Sequence, residues 1–74
     1  MSTKKQLTEK SIQTYYDYLV KILITFGYNR YREHFKYAMN GAKTTYSAVD
    51  VKMLRSELKH RIERDYGEYM YMLW

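Results

Sequence analysis

The chain reads as an all-α protein, a small three-helix bundle, on three observations. Apolar residues recur at i, i+3, i+4 and i+7 in three separate stretches. No proline interrupts any of them, and a glycine stands at the end of each. The spacing predicts helices over residues 8–26, 29–40 and 47–66 of a single domain, 1–74, with residues 1–7 frayed and 67–74 a short apolar C-terminal tail.

Thr8 opens the first helix, in which Ile12, Tyr15, Tyr16, Leu19, Ile22, Leu23 and Phe26 share a side, and Gly27 supplies the stop. Such a helix is roughly 28 Å long. Its second half carries a rival pattern. Tyr18, Val20, Ile22, Ile24 and Phe26 alternate, with Lys21 and Thr25 opposite, as in a strand. Helix is the stronger reading, because the 3.6-residue period begins well before residue 18.

Asn29 is placed to cap the second helix, with Tyr31, Phe35, Ala38 and Met39 inward and Asn40-Gly41 as its stop. Residues 42–46 then read as a loop. Ser47 with Asp50 makes a capping pair for the third helix, where Val51, Leu54, Leu58, Ile62 and Tyr66 line one face. Glu57/Arg61 and Arg61/Asp65 are spaced to pair one turn apart, and Gly67 ends or bends the helix. The expected core is Ile12, Leu19, Ile22, Leu23, Phe26, Phe35, Val51, Leu54, Leu58 and Ile62.

Composition narrows the class further. A hydrophobic share of 46% is too high for a disordered chain, and the absence of cysteine removes disulfides, thiolate zinc sites and a thiol nucleophile. A small secreted domain normally needs such bridges, so the expected setting is intracellular and cytoplasmic, the host cytoplasm for a viral chain. The apolar run 18–26 contains Lys21 and falls far short of a bilayer span, so no membrane partner is expected. Acidic Glu9 and Asp17 precede that run and no small-residue cleavage site follows it, which argues against a signal peptide.

Ten of the 74 residues are tyrosine, and the net charge is +5. Tyrosine and arginine are interface residues, and bases stack on rings while phosphates attract cations. The two coincide best at Tyr28, Arg30, Arg32, Lys36, Tyr37 and Lys43, the candidate surface for a protein partner or nucleic acid. Lys52, Arg55 and Lys59 form a second basic stripe at i, i+3, i+7, read as a solvated face because Glu57 and Glu63 flank it. Residues 43–47 offer hydroxyls and an ammonium, but Asp50 repels phosphate there, so ordinary capping is their expected role. The first helix is apolar on more than one side, and Tyr69, Met70, Tyr71, Met72 and Trp74 make the tail a candidate oligomer interface. A homo-oligomer, or an obligate partner, is the expected remedy.

Nothing points to catalysis. Glu57 and His60 give a single Glu-x-x-His, whereas a di-iron bundle needs two such pairs and two more glutamates. Neither a nucleophile elbow nor a glycine-rich phosphate loop is present. No catalytic residue, metal ligand or cofactor is assigned. The chain is similar in composition to small, tyrosine-rich, cysteine-free accessory proteins of phages and other mobile elements, a likeness that carries no residue assignments. The leading expectation is a non-enzymatic inhibitor-type protein that binds and occludes a larger protein or protein–nucleic-acid complex. Direct DNA or RNA binding through residues 30–43 is the alternative, and a self-assembling structural subunit the second.

Overall fold

The computed structural model describes residues 4–72, with side chains through Glu68. It is an all-α three-helix bundle: α1 (Glu9–Phe26), α2 (Tyr28–Thr45) and α3 (Ala48–Met72). Each helix packs on both others. Connections of one and two residues make successive helices run antiparallel, so α1 and α3 run the same way with α2 opposed to both.

The first helix starts as its sequence dictates. The Ser11 amide donates to Thr8 Oγ1 at 3.2 Å, which satisfies one of the free donors of the first turn. It then stays helical through the ambiguous stretch. Leu19, Val20, Ile22 and Leu23 are buried, whereas Ile24 and Phe26 are 52% and 63% exposed. The alternating set therefore does not share a face, and Phe26, expected in the core, is exposed at the last position of α1.

Gly27 (φ 96°, ψ 178°) closes α1 and opens α2 at once. Its amide donates to the Leu23 carbonyl at 3.0 Å, and its own carbonyl accepts from the Tyr31 amide at 3.1 Å. Only glycine holds such a conformation without strain. One residue thus does the work assigned to two, and Asn29 lies inside α2 rather than capping it.

The second helix is longer than expected, continuing through Asn40 and Gly41 to Thr45. Residues 42–45, expected as loop with Tyr46, are therefore helix. Glycine in a helix interior costs about 0.5–1 kcal/mol, but the extra turn buries Ala42 completely and is followed by buried Tyr46. Burying one large side chain is worth about 1.5–3 kcal/mol, which outweighs the glycine. The helix ends where Tyr46 turns extended and donates its amide to the Ala42 carbonyl at 2.8 Å.

Ser47 caps α3 as expected, accepting from the Asp50 amide at 3.3 Å. Asp50 does not reach back to complete the box. Its carboxylate accepts instead from the Leu7 amide at 3.3 Å. That contact belongs to an anchored N-terminal arm: the Lys5 amide donates to the Thr45 carbonyl at 2.8 Å, and Lys4 Nζ to the Lys43 carbonyl at 3.1 Å. Residues 4–7, expected to fray, are tied to the α2–α3 junction because its helix-end carbonyls need donors.

At Tyr66 the backbone leaves helical geometry (φ −130°, ψ 16°), and α3 bends there instead of stopping. Residues 67–72 are thus helix rather than a loose tail. The side chains of Tyr69, Met70, Tyr71 and Met72, and the whole of Trp74, lie outside the described residues. Leu19, Leu23, Met39, Leu54, Leu58 and Ile62 form the fully buried centre. Tyr31 is also buried, and Phe35 packs half-buried against the core. Among the described residues, no helix is long and apolar enough to cross a membrane.

Candidate functional site: a cationic groove between the second and third helices

Antiparallel packing sets the start of α2 beside the second half of α3. Tyr28, Tyr31, Arg32 and Phe35 from α2 meet Arg55, Lys59 and Glu63 from α3 around an open groove of about 360 Å³. The floor is aromatic. Tyr31 lies with its ring centre 5.9 Å from those of both Tyr28 and Phe35, tilted to the first and edge-on to the second. Burial, and then the neighbouring Tyr28 and Glu63, push the Tyr31 hydroxyl up to about 12, so it stays a neutral donor. The rim is cationic: three basic side chains face one carboxylate.

Among the described residues these rim cations have no carboxylate partner. Ion pairs among the described residues engage only Arg61 and Arg64. Arg32 instead places its guanidinium 5.9 Å from the Tyr28 ring centre, at the outer limit of a cation–π contact. Lys36 and Lys43 continue the Arg32 stripe at i+4 and i+11, and Lys52 continues that of Arg55 and Lys59. All six are exposed.

Arg30 and Tyr37 fall elsewhere. They sit two turns apart on the flank of α2 turned toward α1. There the Tyr18 hydroxyl and His34 Nδ1 share a hydrogen bond at 2.5 Å, and His34 packs edge-on against both Tyr18 and Tyr37. The sequence surface thus divides: Tyr28, Arg32, Lys36 and Lys43 keep to the groove side, while Arg30 and Tyr37 leave it. Of the Lys52, Arg55 and Lys59 stripe, read as a plain solvated face, Arg55 and Lys59 line the groove, and Lys52 continues their row beyond it. Its signal was present, since Arg55 and Lys59 each follow the buried Leu54 and Leu58 by one position. Glu63 and Tyr31 were not singled out as site residues.

The opposite seam, between α1 and α3, shows what a structural use of charge looks like here. Arg61 bridges Glu9 (2.6 Å) and Glu57 (2.9 Å). The expected Arg61/Asp65 pair does not form, because Asp65 takes Arg64 at 2.9 Å and the Tyr16 hydroxyl at 2.5 Å. Those two partners hold the Asp65 carboxyl down to about 2. Among the described residues, charges on this seam are matched and those on the groove are not. Glu57 being spent on Arg61, the Glu57/His60 spacing brings no metal site, and no group of three metal-ligating acids or histidines occurs among the described residues. No family model, curated protein or solved structure matches the chain.

Proposed function

We propose that this chain is a non-enzymatic binding protein whose working surface is the α2–α3 groove, and that the groove takes a single strand of nucleic acid. One observation carries the reading: Arg32, Arg55 and Lys59, without carboxylate partners among the described residues, surround the half-buried rings of Tyr28 and Phe35. Cations track phosphates, and rings accept unstacked bases of any sequence. A duplex keeps its bases inside the stack, so it can use the rim but not the floor. An intracellular location accords with this partner.

Occlusion of a larger protein or protein–nucleic-acid complex, as an inhibitor of the phage-accessory kind would perform, is the second reading. It is favoured by exposed Tyr18, Ile24, Phe26 and Tyr37, apolar area that lies away from the groove and suits a protein partner or a second copy of the chain.

Fluorescence anisotropy with a labelled single strand and its duplex, across a salt series, tests the first reading. The expected result is tighter binding of the single strand, with log affinity falling by roughly 0.7 per phosphate contact for each decade of salt. Equal binding of the two forms, or none, overturns it. Capture of a partner protein that survives nuclease supports the second.

A further inference from the structure

The groove is uniform in neither charge nor chemistry. At the end built by Tyr28 and Tyr31 its lining includes Glu63, one turn beyond Lys59 and two beyond Arg55 on the same side of α3. Glu63 is exposed and forms no ion pair among the described residues, unlike Glu9, Glu57 and Asp65. Its charge reaches the groove floor, where it is one of the influences holding Tyr31 protonated. A carboxylate among phosphate-binding cations weakens a purely electrostatic site, since it repels the backbone the cations attract. It becomes useful if it faces a base instead.

Resting on the single-strand reading, we infer that Glu63 is a specificity-determining residue that selects guanine for the base held against Tyr28 and Tyr31. An ionised carboxylate has two oxygens and only accepts hydrogen bonds. Guanine alone presents two adjacent donors on its pairing edge, N1–H and the 2-amino group, which match those oxygens as a fork. Cytosine and adenine each offer one amino group beside a ring nitrogen that is an acceptor, and thymine or uracil offers one N–H between two carbonyls. Those acceptors face the carboxylate lone pairs and repel them. Lys59 and Arg55, one and two turns back along α3, are placed for the phosphates of the neighbouring nucleotides while the base reaches Glu63.

The test uses the full chain and thymine nonamers whose central base is guanine, hypoxanthine, cytosine, adenine or thymine, read by fluorescence anisotropy. A bidentate pair is worth about a tenfold preference. The guanine strand is therefore expected to bind about tenfold tighter than the all-thymine strand, and hypoxanthine, which lacks the 2-amino group, to lose most of that gain. Glu63→Gln, checked for folding by circular dichroism, should erase the guanine preference and bind the all-thymine strand more tightly, because a negative charge leaves the groove. Wild-type protein that binds all five strands alike, or a guanine preference that survives Glu63→Gln, overturns this inference and leaves the groove reading standing. Failure of every strand to bind overturns both.

Discussion

The Arg32 guanidinium stands 5.9 Å from the centre of the Tyr28 ring, one turn away on the same helix. A flexible cation is thereby stationed at the rim of a groove whose floor continues through Tyr31 and Phe35. Less side-chain entropy then remains to be lost when an anion arrives.

Tyr28→Ala removes both the ring under Arg32 and a stacking surface, so affinity for a single strand should weaken by about 1–3 kcal/mol. Tyr28→Phe keeps the ring and should bind close to wild type. Titration of both variants against one labelled oligonucleotide checks this; equal losses would show that the hydroxyl matters and the ring does not.

Charge reversal should distinguish the two flanks of α2. Arg55→Glu with Lys59→Glu should abolish most binding and flatten the salt dependence, since two rim cations become repulsive. Arg30→Glu, on the flank turned toward α1, should have a small effect, well below half that of the pair, although it changes the charge by two against the pair's four. Both proteins should fold, because exposed substitutions usually shift stability by only about 0.5 kcal/mol each. Equal losses of binding would mean that overall charge, rather than the groove, holds the partner.

Two glycines should respond oppositely to alanine. Gly41 is helical, and a Cβ there meets nothing within 4 Å. Gly41→Ala should stabilise the bundle by about 0.5–1 kcal/mol. Gly27 also has open space around it, but its φ of 96° suits few side chains. Gly27→Ala should destabilise by about 1–3 kcal/mol. Chemical denaturation midpoints compare the two directly.

The Tyr16–Asp65 hydrogen bond predicts a stability plateau lost at both extremes of pH. Asp65 is depressed from 3.8 to about 2, so its contribution is present above pH 4 and disappears as pH falls toward 2. Tyr16 is raised from 10.0 to about 12, first by burial and then by Asp65, so its contribution is present below pH 10 and is lost as pH rises toward 12. Tyr16→Phe should shrink the acid loss and part of the alkaline one, leaving the share due to Tyr31 and Tyr15, which burial also raises. Thermal melts followed by circular dichroism from pH 2 to 12 provide the measurement.

How much of this was legible beforehand follows from which interactions are local. The all-α class, the Thr8 and Ser47 caps and the burial of Leu19, Leu23, Leu54 and Leu58 were readable, because caps and helical period are decided within a few neighbouring residues. The same locality misled at Gly41, where a stop signal was outweighed by Ala42 and Tyr46 finding cover on the other helices. It misled again at residues 4–7, whose hydrogen-bond partners lie about forty positions away.

The groove was legible only in its separate halves. By itself the sequence determined that α2 carries a basic-aromatic stripe and α3 a basic one, since each lies one position beside an apolar row. Only the tertiary structure decided that the two stripes face each other, that Arg30 and Tyr37 turn away toward α1, and that Glu63 closes one end. The reason is geometric: a helical period fixes which residues share a face, but the facing of one helix on another is set by how three apolar rows bury one another together.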